Sequence, residues 1–159
     1  MVLSLDISIR CTGYCVFDGN KNLIAFGTIK TNNNNSMYER LNHLVKRIRS
    51  LVIEHEIEQC AIEAPAYGAR GAMSYSLFGV HFFVVWLLNS LRLSVAQYTP
   101  TSLKKFATGN GRAGKEDMVA ALPNEVRQLF VNSNLKKTTG LYDVTDAYFL
   151  GKKLLTLDI

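Results

Sequence analysis

The chain has 159 residues, 48% of them hydrophobic, which fits one domain with an ordinary core and leaves no room for a second, similar lobe. Lys and Arg outnumber Asp and Glu by 18 to 13, and the resulting net charge of +5 suits a polyanionic partner. Cys11, Cys15 and Cys60 form no C-x-x-C pair and no zinc spacing, so buried free thiols in a reducing compartment are expected. Met1 leads almost at once into a strand pattern holding an acid, unlike a secretory leader. The most apolar stretch, Leu77 to Leu88, is shorter than the about 20 residues that a bilayer needs. A cytoplasmic protein with no membrane segment is the expectation.

In chain order, Val2 to Arg10 alternates, with Val2, Ser4, Asp6 and Ser8 on one face and Leu3, Leu5, Ile7 and Ile9 on the other, as in a strand. Thr12 to Phe17 and Leu23 to Ile29 are two more β-rich runs, parted by the turn-forming cluster Asp18 to Asn22. An antiparallel meander follows from these three. Ser36 and Glu39 have the spacing of a capping box, and Leu41, Leu44, Val45, Ile48, Leu51 and Val52 recur at helical period behind it. Glu58 to Glu63 reads as a short buried strand, and Pro65, Gly68 and Gly71 make the next segment a loop. Met73 to Leu93 predicts a helix apolar on nearly every side, which in turn predicts packing on the sheet together with a homodimer interface. Leu93 to Tyr98 gives a fifth strand, and Thr99-Pro100-Thr101 opens a short helix. Thr108 to Gly114 is a glycine-rich basic loop, Lys115 to Leu122 and Asn124 to Val131 are helical, Asn132 to Gly140 is a basic loop, and Tyr142 to Leu155 closes as a helix. The order is α/β with an antiparallel start and a parallel continuation.

Asp6, Glu63, Asp143 and Asp146 carry the chemistry. Asp143 and Asp146 are three apart on a helix, so both project from one face. Alone they also read as first-turn acids suited to the helix dipole, and Glu63 as a strand-end acid. Asp6, between Leu5 and Ile7 in a central strand, is harder to dismiss, because unpaired buried charge is costly. Together the four can hold two Mg²⁺ ions, which take oxygen ligands and serve in-line displacement at a phosphodiester. Lys104 and Lys105 alone would be solvated helix residues. Gly109-Asn110-Gly111 with Arg112 and Lys115 could cradle phosphate through backbone N–H groups, although the spacing is not that of a nucleotide-binding P-loop. His81 reads as a hydrogen-bonded core residue, and Phe82, Phe83 and Trp86 as core or dimer contacts.

The segments Leu5 to Tyr14, Ala61-Ile62-Glu63, Lys104 with Gly109 to Lys115, and Asp143-Val144-Thr145-Asp146-Ala147 resemble, in order and over nearly the full length, the RuvC family of Holliday junction resolvases. The resemblance implies an RNase H-like fold: a mixed five-stranded sheet, three antiparallel strands then parallel ones, flanked by helices, in one nuclease domain over residues 1–159. It implies a homodimer that cuts branched DNA, especially four-way junctions, by paired symmetric nicks. It also implies two Mg²⁺ or Mn²⁺ ions per site on Asp6, Glu63, Asp143 and Asp146, no nucleotide cofactor, and DNA contacts at Lys104 and Lys115, with Lys115 at the catalytic centre. Lys105, Arg112 and Arg70 join the expected DNA contacts, and Tyr67 is the expected base-stacking aromatic, worth about 1–3 kcal/mol. Where the family usually has Pro-Gly after the first acid, this chain has Ile7-Ser8, so a divergent, phage-encoded member is expected, working in a bacterial or phage-infected cell. A broader branched-DNA or flap nuclease and a non-catalytic junction binder are the alternatives. The Asp and Thr-Gly spacing of sugar kinases and actin-like proteins is set aside because the second lobe is missing.

Overall fold

A computed structural model describes residues 1–65 and 72–157. Three strands open the chain, β1 (Val2–Asp6), β2 (Cys11–Phe17) and β3 (Leu23–Lys30); then come α1 (Met37–Glu54), β4 (Gln59–Glu63), α2 (Ala72–Ser90) and β5 (Ser94–Tyr98). Four helices follow: α3 (Pro100–Thr108), α4 (Lys115–Ala120), α5 (Asn124–Asn132) and α6 (Leu141–Leu157). The strands form one sheet in the order β3-β2-β1-β4-β5, antiparallel through β1, β2 and β3, and parallel where β4 joins β1 and β5 joins β4.

Alternation along the strands divides the interior in two. Leu3, Leu5, Ile7, Cys60 and Ile62 point to one side and pack with Leu44, Ile48 and Leu51 of α1 and Val80, Val84 and Leu88 of α2. Val2, Cys15, Phe17 and Ala61 point to the other and pack with Val144, Tyr148 and Leu150 of α6, Leu103 of α3 and Phe130 of α5. The same period places Asp6 and Glu63 on the α6 side of the sheet, because each is an even number of residues from Val2 or Ala61.

Local chemistry sets the boundaries. The expected first strand runs on to Arg10, whereas β1 ends at Asp6. Thr12 Oγ1 accepts from the Ser8 N–H at 3.1 Å and donates to the Ser8 carbonyl at 2.7 Å, which folds residues 7–10 into a turn. At α1 the capping box forms as the sequence predicts, with the Glu39 N–H donating to Ser36 Oγ and the Ser36 N–H donating to Glu39 Oε2. α2 stops at Ser90 rather than Leu93, and Leu93 turns back so that its N–H reaches the Leu88 carbonyl. Thr99 caps α3 ahead of Pro100, and Gly109 ends it with φ +78.

Helix α6 lies unusually close to the sheet. A Cβ on Gly13 would stand 2.6 Å from the Val144 nitrogen and nearer still to the Asp143 carbonyl, so only glycine lets β2 and α6 approach this closely.

Candidate active site

β1 and β4 run side by side in parallel, with Leu5 against Ile62, so that Asp6 and Glu63 end adjacent strands at the same edge of the sheet. This is the carboxyl end, where open α/β sheets place their ligands. α6 crosses above it and brings Asp143 and Asp146. All four acids are half-buried. Burial, and then the charges of Asp146, Glu63 and Asp143, raise Asp6 well above the usual carboxylate range, with Lys115 opposing. Glu63 is pushed up to about 7, first by burial and then by Asp146, against Lys104. Asp146 is pushed up to about 6 by burial, against Lys115 and Lys104 and reinforced by Asp143. Asp6, Glu63 and Asp146 are therefore held where the charged form is costly, among other acids and two lysines.

A hollow of about 190 Å³ opens beside these residues, lined among others by Glu63, Asp146, Lys104, Lys115 and Leu103. Lys104 comes from α3 and Lys115 from the first residue of α4. The Lys115 ammonium lies 5.3 Å from the centre of the Tyr142 ring, and the Tyr142 hydroxyl donates to Glu116, which also pairs with Lys137 at 2.5 Å. Tyr142 thus gives Lys115 a face to rest on next to Asp143. Nothing in the sequence marks Tyr142 for this role except its place beside Asp143.

A second contact is equally unmarked. Cys11 and Asp143 line the same hollow, and burial followed by the neighbouring Asp143 carboxylate pushes the Cys11 thiol up to about 12. Nothing in the sequence joins two residues so far apart. The other thiols behave as expected: Cys15 and Cys60 are buried and free.

Other expectations are redrawn. The phosphate-cradling loop does not stand open, since its amides bond internally: Asn110 to Thr108 Oγ1, Arg112 to Asn110 Oδ1, Ala113 to the Asn110 carbonyl and Gly114 to Asp117 Oδ2. Arg112 and Lys105 are exposed and line none of the hollows beside the acids. Phe82, Phe83 and Trp86 are not core residues; they are 66%, 41% and 62% exposed, because Val80, Val84 and Leu87 take the inward face of α2. His81 is buried as expected, with Nε2 3.2 Å from Gln97 Oε1. Tyr67 and Arg70 lie outside the described residues.

As donors the four acids suit a hard dication: carboxylate oxygens, mutual repulsion, and burial that penalises charge without a partner. Among the described residues no group of three Asp, Glu, His or Cys side chains is already arranged to hold a metal ion. Nor is any helix among them long and apolar enough to cross a membrane.

A mixed sheet of this order with an acid cluster at its carboxyl edge defines an RNase H-like nuclease. Solved structures share the fold: Thermus thermophilus RuvC in complex with Holliday junction substrate matches with a TM-score of 0.72 at 21% identity, over 94% of this chain and 89% of that one. A fowlpox virus resolvase in complex with Holliday junction DNA matches with a TM-score of 0.61 at 13% identity, over 99% and 98%. The family model of the crossover junction endodeoxyribonuclease RuvC matches residues 2–149, and the chain belongs to that family of metal-dependent endodeoxyribonucleases. The crossover junction endodeoxyribonuclease RuvC of Ehrlichia canis is 29% identical over 148 residues, 92% of this chain and 90% of that protein. That of Salinibacter ruber is 30% identical over 121 residues, 74% and 68%. These relatives are bacterial and lend no support to a phage origin.

Proposed function

We propose that residues 1–159 work as one nuclease domain that resolves four-way DNA junctions by paired symmetric nicks, leaving 5′-phosphate and 3′-hydroxyl ends. Asp6, Glu63, Asp143 and Asp146 would hold two Mg²⁺ or Mn²⁺ ions, which when bound activate water and stabilise the leaving oxygen of an in-line displacement. The observation that carries this reading is the coupling of Asp6 to three further acids at the end of two parallel strands, with Lys115 and Lys104 beside them.

The chain's own groups have distinct tasks. Lys104 and Lys115 draw the scissile phosphate toward the acids and offset its charge. Lys105 and Arg112, both exposed, take phosphates of the flanking duplex, while Tyr67 and Arg70 act in the junction centre. The cytoplasm of a bacterial cell, where free thiols persist, is the proposed compartment.

The site repeats in a homodimer. Gly79, Phe82, Phe83 and Trp86 follow i, i+3, i+4, i+7 spacing along the outer face of α2, all exposed, and a Cβ on Gly79 would meet nothing within 4 Å. An aromatic stripe with an open notch suits the same stripe of a second copy, and a two-fold dimer suits a two-fold junction.

Cleavage of an end-labelled synthetic four-way junction, with flap and linear duplex controls, in Mg²⁺ and in EDTA, tests the proposal. Metal-dependent nicks at symmetric positions are expected. Equal cutting of flaps and junctions would favour a broader branched-DNA nuclease, and tight binding without cutting a non-catalytic binder.

A further inference from the structure

On the other side of the acid cluster lies a larger hollow of about 420 Å³, lined among others by Arg10, Lys30, Thr31, Lys137, Thr138 and Asp143. It lies between the turn after β1, the end of the β2 and β3 hairpin and the loop before α6. Asp143 is at its edge, so the hollow begins where the candidate active site ends. Arg10 and Lys30 are exposed, and among the described residues neither forms an ion pair, whereas Lys137 is paired with Glu116. Among the described residues Asp143 is the only acid in the lining, against three cations.

A neighbouring hollow of about 220 Å³ shares Lys30 and Thr31 and adds Arg40 and His43. Arg40 is braced, its Nε donating to Thr31 Oγ1 at 2.9 Å and Nη2 to the Ile9 carbonyl at 3.4 Å. Together the two hollows make a basic trench leading from Asp143 along Arg10 and Lys30 to Arg40. Among the described residues no Phe, Tyr or Trp lines either one, and the single imidazole, His43, lies at the far end from Asp143. Pockets for small ligands are mostly apolar and aromatic, so a free nucleotide or a stacked base finds little here, while phosphate oxygens find guanidinium, ammonium and hydroxyl donors.

We infer that this trench holds the sugar-phosphate backbone of the cleaved DNA strand on the side of the acids away from Lys104 and Lys115, with Arg10 and Lys30 each contacting a phosphate. The inference rests on the proposal that the chain is a junction nuclease. It gives the active site a grip on both sides, so that the strand is fixed across the acids and the scissile phosphate cannot slide past them.

The test is binding of a labelled four-way junction in EDTA, from 50 to 200 mM salt, by the parent chain, Arg10→Gln/Lys30→Gln and the charge control Lys46→Gln. Each phosphate contact adds about 0.9 to the salt slope, so over a fourfold salt change the two contacts of one subunit account for about a twelve-fold loss of affinity and the four of a homodimer for about 150-fold. The double variant, which lacks four contacts per dimer, is expected to bind more weakly at 50 mM and to lose about 150-fold less affinity across the range, with the parent's melting temperature. Lys46→Gln is expected to keep the parent's slope. A double variant with parental affinity and slope overturns the inference and leaves the nuclease proposal standing if the parent still cuts junctions in Mg²⁺. Equal flattening by Lys46→Gln also overturns it, since it would show diffuse charge rather than a trench. A parent that neither binds nor cuts junctions removes both.

Discussion

Replacing Gly13 with alanine should damage catalysis from outside the acid cluster. The new methyl would stand 2.6 Å from the Val144 nitrogen and nearer to the Asp143 carbonyl, all of it backbone that cannot swing aside. Restoring ordinary contact at about 3.5 Å requires β2 and α6 to separate by at least about 0.9 Å. α6 carries both Asp143 and Asp146, and its neighbours Val144 and Ala147 are fully buried, so the helix moves as a body and takes two acids with it. A displacement of that size costs about 100-fold in rate, and overpacking costs about 1–3 kcal/mol of stability. For a chain of this length the melting temperature should fall by roughly 2–12 °C. The assay is single-turnover cleavage of a four-way junction in saturating Mg²⁺, alongside thermal unfolding and junction binding in EDTA. Slow cleavage with binding preserved is expected; parental cleavage at a parental melting temperature would refute the argument that this approach sets the acid geometry.

The remaining predictions concern the charges and surfaces. Asp6→Asn and Asp146→Asn should each abolish cleavage while leaving junction affinity in EDTA largely intact; loss of both would make these acids structural. Glu63 and Asp146 are raised from 4.5 and 3.8 to about 7 and about 6, so folding favours their protonated forms. Their contribution to stability is full below about pH 4 and is lost as pH rises through about 7. In EDTA the melting temperature should therefore fall across that window, and Mg²⁺ should lessen the fall by replacing the proton; a flat profile in EDTA would contradict the shifts. Tyr142→Phe keeps the ring under Lys115 and should cut near the parental rate, whereas Tyr142→Leu should lose about two- to five-fold in kcat with little change in KM, the scale of an exposed cation–π contact. Trp86→Asp should leave the fold intact and shift sedimentation from dimer to monomer, with paired nicks becoming single ones.

Much of the architecture is legible in sequence because it depends on local periodicity. Alternation through Leu3 and Leu5 and helical spacing through Leu44 to Val52 report which face is buried, and Ser36 with Glu39 marks where α1 starts. The four acids could be singled out for the same reason: an acid inside an apolar run is conspicuous. Element ends follow other rules: the end of β1 depends on a bond from the Thr12 hydroxyl to the Ser8 carbonyl that competes with continued pairing.

What the sequence determined by itself was the identity of the acids, the faces of the strands that carry them and the family they resemble. What only the tertiary structure decided was proximity and environment. The parallel register that sets Asp6 beside Glu63, the approach of α6 at Gly13, the thiol of Cys11 beside Asp143 and the Tyr142 ring beneath Lys115 all join distant parts of the chain. So does the fate of α2, whose uniform apolarity could not say which aromatics would be left outside. Periodicity fixes a residue's direction within its own element; how far its charge is desolvated, and by whom it is faced, depends on how the elements pack.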